Sequence, residues 1–154
     1  MSTGPWLTGP AGHPVGGAVG VLIDNTASQR ARRWGRCREP GRAAACRVQA
    51  TEGGAELGLT VTADLANPMG NLHGGITFAA CDLVAQAALL AAGGPTLTAS
   101  ISVAYPRPIP LGTTPRFQAR LLHCGRALGI VAITVTTDDA KPRAIATVTT
   151  GLPG

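Results

Sequence analysis

Residues 76–92 read ITFAACDLVAQAALLAA, and this stretch decides the fold. It contains neither glycine nor proline and consists largely of alanine and leucine, which favour a helix. Apolar residues fall on nearly every side of that helix, so we expect it to be buried all round. Gly93, Gly94 and Pro95 end it. Asp82 interrupts the apolar run, and a carboxylate in such surroundings is costly unless it is paired or used.

Segments with the character of β-strands surround this helix. Residues 56–64, before it, alternate apolar and polar side chains. After it come four extended segments, separated by short runs of turn residues, at 97–105, 116–124, 128–137 and 143–150. A single apolar helix is buried most simply by one curved sheet. We therefore predict an α+β protein with the hotdog fold, in which an antiparallel sheet of about five strands wraps one long central helix.

The N-terminal third contains a partial internal repeat. Residues 9–17 align without a gap to residues 67–75, and Asp24 then takes the place of Asp82. One interpretation is a tandem, double-hotdog ancestor that lost most of its first repeat. The alternative is chance similarity in a sequence rich in glycine, alanine and proline.

The net charge of +5 is concentrated in residues 30–47, which hold seven arginines and one glutamate. The rest of the chain is nearly neutral and has few aromatic residues, so a nucleic-acid partner is not expected. We divide the chain into an N-terminal segment, residues 1–54, and a hotdog domain, residues 55–154. The N-terminal segment comprises the degenerate copy of the loop–helix unit and the arginine-rich stretch. Besides loss of most of a first repeat, the incomplete copy has another explanation, in which residues 30–47 are an out-of-register or unstructured insert.

Several other classes of protein are disfavoured. The four cysteines lack the spacing of a zinc site, so no metal is expected. No apolar run of about 18 residues passes without a polar break, and no secretion signal opens the chain. We expect a cytoplasmic protein with free thiols and no membrane contact.

The loop before the helix, NPMGNLHGG at residues 67–75, is where we expect chemistry. Gly74 and Gly75 open the helix, and its first N–H groups, aided by the helix dipole, can polarise a carbonyl oxygen and stabilise an oxyanion. Asp82 follows about two turns later. A carboxylate near such a site is suited to attack on an ester or thioester.

Residues 55–150 resemble the PaaI-like branch of the hotdog-fold acyl-CoA thioesterases. The resemblance rests on the N-P-x-G-x-x-H-G-G loop, on the acid nine residues after the histidine, and on the V-x-Y-x-R-P motif at residues 103–108. It implies hydrolysis of acyl-CoA to free acid and CoA, without a metal or redox cofactor. Coenzyme A would enter only as part of the substrate.

The same resemblance implies a role for each site residue. Asn67 and the Gly74 N–H would bind the thioester carbonyl, and His73 would orient the loop. Asp82, contributed by the partner subunit, would act as a nucleophile or as the base for water. Thr98 on the next strand would help to position that water.

Further residues are candidates for substrate binding. Gln86 lies one turn beyond Asp82, where relatives place a polar site residue, and Ser100 is the second choice for the strand hydroxyl. Arg107 and Arg126 are candidates for contact with the phosphates of coenzyme A. With Gly75 from the loop, the set is Gly75, Gln86, Ser100, Arg107 and Arg126.

A second function stays open, namely a hotdog protein that binds acyl-CoA without hydrolysing it, as a sensor or a degenerate subunit. The intact loop and Asp82 favour the enzyme. The first copy, in which Val15 stands at the position of His73 and Gly9 at that of Asn67, favours the degenerate form. In either case unpaired sheet edges predict a homodimer or a dimer of dimers.

Overall fold

A computed structural model describes residues 46–151 of the protein. The N-terminal repeat, including Asp24, lies outside these residues, and so does the arginine-rich stretch up to residue 45. The interpretations of the N-terminal third, as a remnant of a tandem repeat, an insert or a chance similarity, therefore stay predictions.

The described residues form six strands and one long helix. In chain order they are β1 Cys46–Thr51, β2 Gly54–Leu59, α1 Gly74–Ala91, β3 Leu97–Ala104, β4 Arg116–Cys124, β5 Leu128–Thr136 and β6 Pro142–Gly151. A short 3₁₀ helix, Ala63–Leu65, lies between β2 and α1. The sheet has the order β1-β2-β4-β5-β6-β3, and each neighbouring pair is antiparallel. This is the predicted hotdog fold, with six strands rather than five.

Strand β1 is the element that the sequence analysis missed. It pairs with β2 through a tight turn in which Gly53 has a φ of 74°, a conformation that favours glycine. At Gly54 the hairpin lies so close to β4 that an added Cβ would stand 1.9 Å from the carbonyl oxygen of Ala119. The sheet thus begins within the segment that we assigned to the N-terminal part.

Strand β2 ends at Leu59, although the alternating pattern predicted a strand to residue 64. Leu59 N–H still donates to the Pro115 carbonyl, and Val61 N–H donates to the Thr113 carbonyl. Pro115 has no N–H to return, so the regular ladder stops there. Three residues, of which Thr62 is extended, lead from β2 to the 3₁₀ helix, which in turn leads to the loop before α1.

Helix α1 packs against one face of the sheet and contacts all six strands. Its buried residues are Ile76, Thr77, Ala80, Cys81, Leu83, Val84, Ala85, Ala88 and Leu89. They meet fully buried strand residues such as Leu57, Phe117 and Val131. By length and composition alone α1 could cross a membrane, but here it is the core helix of the domain.

The composition of the helix predicted burial on every side, but in the structure one side of the helix is partly exposed. Phe78, Asp82, Gln86 and Leu90 recur every four residues and form a partly exposed line, which we call the open stripe. Phe78 is 41% exposed and Leu90 43%. Beside this helix, β3 pairs on one side only among residues 46–151, with β6, and so forms an edge of the sheet that these residues build.

Candidate active site

The loop of residues 67–75, which we call the HGG loop, is shaped by Asn67. The side-chain oxygen of Asn67 accepts hydrogen bonds from the N–H groups of Met69 (3.0 Å) and Asn71 (3.1 Å). The Asn67 N–H donates to the Asn71 carbonyl at 2.7 Å. The side-chain nitrogen of Asn67 makes no hydrogen bond within residues 46–151. It is therefore available as a donor to a ligand.

His73 joins the HGG loop to the helix. It is the N-cap of α1, and its Nδ1 accepts a hydrogen bond from the Gly75 N–H at 3.0 Å. Its own N–H donates to the Leu65 carbonyl at 2.9 Å. Both contacts are those of a residue that orients the loop and caps the helix.

Gly74 presents the free donor at the start of α1. The Gly75 N–H is taken by His73, whereas the Gly74 N–H has no hydrogen-bond partner within the described residues. No acidic residue lies in the first turn of the helix to offset the positive end of its dipole. A carbonyl oxygen placed at Gly74 would thus meet both a free N–H and a favourable field.

A second polar cluster joins the open stripe to β3. The Thr98 hydroxyl donates to Asp82 Oδ1 at 2.5 Å, and Gln86 Nε2 donates to Asp82 Oδ2 at 2.8 Å. Gln86 Nε2 also lies 3.5 Å from the Thr98 hydroxyl. All three side chains are partly buried. The structure thus brings these three predicted residues together, with Asp82 oriented through both of its oxygens.

Ser100 does not belong to this cluster. Thr98 pairs with Thr150, which is buried and points to the core, whereas Ser100 pairs with Thr149 after a register shift. Opposed residues in an antiparallel pair share a face, so Ser100 lies on the outer face, away from α1. Of the two strand hydroxyls considered from the sequence, only Thr98 reaches Asp82.

The two clusters are separated along the helix. Gly74 and Asp82 are eight positions apart on α1, which at 1.5 Å per residue is about 12 Å along the axis. A carboxylate that attacks a carbonyl must approach to about 3 Å. Asp82 and Gly74 of the same chain are therefore too far apart to act on one carbonyl group.

Tyr105 is a residue at the site that we did not single out from the sequence. Its hydroxyl donates to the Gly74 carbonyl at 3.0 Å, and its ring lies beside Gly74. Burial, with a smaller effect of Cys81, raises the pKa of Tyr105, so the phenol stays protonated and keeps donating. The V-x-Y-x-R-P motif contained this tyrosine, but its spacing alone does not show that it faces the helix.

The two predicted arginines lie at opposite ends of the sheet. Arg107 follows Tyr105 near the start of α1, and its Nη1 donates to the Pro142 carbonyl at 2.9 Å. Arg126 follows Cys124, whose sulfur lies 3.9 Å from the Ala92 carbonyl at the end of α1. The ends of an 18-residue helix are about 27 Å apart. Within one chain the two arginines cannot meet.

Cys81 is not a candidate nucleophile. Burial, together with the negative charge of Asp82, raises the pKa of this thiol to about 12. The thiolate is the reactive form, and it is absent near neutral pH. Within the described residues no three histidine, cysteine or acidic side chains are grouped as a metal site would require.

Comparison with known proteins bears on the family and the fold. The family model of the thioesterase superfamily matches residues 69–143. These residues include the HGG loop from Met69 onward, α1, strands β3 to β5 and the first two residues of β6. No curated protein matches the sequence.

Solved structures of similar fold extend the comparison. The Streptococcus mutans protein smu.793, solved with acetyl CoA bound, is 26% identical, with a TM-score of 0.67 over 77% of this chain and 98% of that one. A mutant form of the phenylacetic acid degradation protein PaaI from Thermus thermophilus is 25% identical, with a TM-score of 0.63 over 70% and 93%. The E. coli PaaI protein is 20% identical, with a TM-score of 0.67 over 88% and 95%.

Proposed function

Because the chain belongs to the thioesterase superfamily, in its PaaI-like hotdog branch, we propose that it hydrolyses acyl-CoA thioesters to a free acid and CoA. The observation that carries this proposal is the free Gly74 N–H at the positive end of a helix. It lies in the same loop as the unpaired side-chain nitrogen of Asn67. Two donors of this kind are suited to the carbonyl oxygen of a thioester, which gains negative charge as the carbon is attacked.

We propose that the carboxylate comes from a second copy of the chain. The separation of about 12 Å along α1 excludes the same chain's Asp82. The edge strand β3 and the open stripe lie side by side. An antiparallel pairing of two copies through them, with its two-fold axis at Phe78, midway between positions 74 and 82, would place the partner subunit's Asp82 opposite Gly74. A homodimer, alone or as half of a dimer of dimers, would therefore carry two equivalent sites.

In this proposal the partner subunit's Asp82 attacks the thioester carbon or removes a proton from an attacking water. The Gly74 N–H and the Asn67 amide stabilise the oxyanion while the carbon–sulfur bond breaks. The thiolate of CoA leaves and takes up a proton. If Asp82 has attacked, the acyl group is then bonded to its carboxylate as a mixed anhydride, which a water molecule hydrolyses to free acid and Asp82; if water has attacked, the free acid forms directly. The contacts of Gln86 and Thr98 with Asp82 hold the carboxylate in one orientation, and the Thr98 hydroxyl is placed to hold the water.

Recognition of coenzyme A is supported by the S. mutans structure, which holds acetyl CoA. Arg107 is exposed and uses one of its N–H groups within the described residues, so the others can meet phosphates. In an antiparallel dimer the Arg126 end of one subunit comes to the Arg107 end of the other, so both could serve one ligand. The reaction as proposed uses no metal or redox cofactor. Cys81 and Cys124 are free thiols, which suits a cytoplasmic enzyme.

The Asp82→Asn variant tests the proposal, with release of free thiol measured across a panel of acyl-CoAs. We expect kcat to fall by about 10²-fold or more with little change in KM, because a catalytic base is lost. Asn67→Ala should lower kcat less, since the Gly74 N–H still polarises the carbonyl. Asp64→Asn, on an exposed aspartate of the 3₁₀ helix, is the matched control and should behave as the unmodified protein.

Two outcomes would contradict the mechanism. If Asp82→Asn hydrolyses acyl-CoA as fast as the unmodified protein, the carboxylate is not used. If neither protein hydrolyses any acyl-CoA but both bind CoA esters, the protein is an acyl-CoA-binding module instead.

A further inference from the structure

The HGG loop is supported from behind by residues 105–111, which we call the bridging segment. The Leu72 N–H donates to the Ile109 carbonyl at 2.8 Å, and the Leu111 N–H donates to the Gly70 carbonyl at 2.9 Å. With the hydroxyl contact of Tyr105 to Gly74, the segment holds the loop at three points along its length. The position of the Gly74 N–H thus depends on where the bridging segment lies.

The bridging segment is in turn held by Arg143, at the start of β6. Its Nη1 donates to the Pro108 carbonyl at 3.1 Å, its Nη2 to Asp139 Oδ2 at 2.8 Å, and its Nε to the Thr137 hydroxyl at 3.0 Å. The side chain is only 17% exposed. One guanidinium therefore joins the bridging segment to the turn between β5 and β6.

We infer that Arg143 is a positioning residue for the oxyanion donor at Gly74, acting through the bridging segment. This inference rests on the proposed function. Arg143 follows the turn between β5 and β6 and makes no hydrogen bond with Gly74 or Asn67. Its effect passes from the guanidinium to Pro108, and from the bridging segment to the HGG loop.

The chemistry of the three contacts requires arginine. A planar guanidinium presents its N–H groups in a fixed fork and can reach three acceptors in different directions at once. A lysine ammonium can keep the ion pair with Asp139 but cannot also reach Pro108 and Thr137. Oxyanion donors act only at about 2.7–3.1 Å from the developing charge, so a small displacement of the loop is costly in rate.

The test compares Arg143→Lys with two controls by steady-state kinetics and by hydrogen exchange followed by mass spectrometry. We expect Arg143→Lys to lower kcat on the order of ten-fold with little change in KM. Exchange should become faster in peptides covering the HGG loop and the bridging segment but not in those covering β4 and β5. Arg120→Lys, on the exposed face of β4, should change neither measurement.

Asp139→Asn separates the ion pair from the contact with Pro108. The single oxygen of an asparagine can accept from the guanidinium or from the Lys141 N–H, but not from both. Arg143 keeps its contact with Pro108 in either case, so this variant should lower kcat much less than Arg143→Lys. Equal losses in the two variants would overturn the inference, because the ion pair alone would then explain them. Unchanged exchange in the HGG loop of Arg143→Lys would overturn it as well. If the unmodified protein hydrolyses no acyl-CoA, the proposed function fails, while the exchange measurement still decides whether Arg143 positions the loop.

Discussion

If each active site contains residues from two chains, a mixture of two inactive variants should regain activity. The first is Asp82→Asn, which removes the carboxylate. The second is Gly74→Pro, which removes the free N–H while keeping the backbone. Proline is favoured at the first position of a helix, and the preceding His73 has φ −62° and ψ 132°, the extended conformation that a following proline requires. An added carbon at Gly74 also has room, since the nearest atoms of the Tyr105 ring are 3.8 Å away.

The expected magnitude follows from the distance along α1. Loss of one oxyanion donor costs about 10²–10³-fold in kcat, and loss of the base costs about 10²-fold or more. Because Gly74 and Asp82 of one chain lie about 12 Å apart along the helix, the proposed mechanism combines Gly74 of one chain with the partner subunit's Asp82 in each site. A mixed dimer of the two variants then has one intact site and one site with both defects.

The assay is thiol release after the two variants have been unfolded together in equal amounts and refolded. Random pairing makes about half of the dimers mixed, so the mixture should show about a quarter of the activity of the unmodified protein. Each variant refolded alone should show about 1% or less. If the mixture is no more active than the average of the two variants refolded separately, each site lies within one chain and the reasoning is wrong.

Three further predictions concern stability. His73→Ala should lower the free energy of unfolding by about 1 kcal/mol in urea titrations, whereas His73→Asn, which can still cap the helix, should lower it less. Gly54→Ala should cost at least ~2 kcal/mol, because the added Cβ meets the backbone of the neighbouring strand, while Gly58→Ala on the same strand, with open space around it, should cost less. Deletion of residues 1–45 should leave a cooperatively folding domain, and deletion of residues 1–51 should weaken it markedly by removing β1, as thermal unfolding would show.

The regular elements were predictable where the local pattern and the tertiary environment agree. Helix α1 and strands β3 to β6 lie within two residues of their predicted limits, because alternation and turn residues mark them clearly. Strand β1 was missed because it is short and follows an arginine-rich stretch without a clear period. The limit of β2 depends on Pro115, far along the chain, which no local pattern reveals.

The open stripe shows a different limit. Composition says that α1 is apolar on every side, but it does not say on which side the sheet ends. Phe78 and Leu90 look like core residues in the sequence, yet within the described part of one chain both side chains are exposed.

Residue types and family resemblance predicted which residues belong to the candidate site. They did not predict the hydrogen bonds that connect those residues to one another and to the rest of the fold. The choice between Thr98 and Ser100 depends on a register shift between them, and a one-residue shift moves a side chain to the other face of a strand. Tyr105 and Arg143 act through contacts with parts of the chain more than thirty residues away. Such contacts follow from the packing of loops, for which the sequence has no periodic signal.

The free edge of β3 bears on how the protein selects a second copy of itself as its partner. A ladder of backbone hydrogen bonds is the same for every sequence, so a pairing through this edge supplies affinity but does not discriminate between candidates. In a cell that makes several proteins of this fold, the side chains beside the ladder would have to select the correct partner subunit. The exposed apolar side chains of Phe78 and Leu90 are the first candidates. Substitutions at Phe78 and Leu90 could therefore create or abolish mixed dimers without changing a residue of the candidate active site.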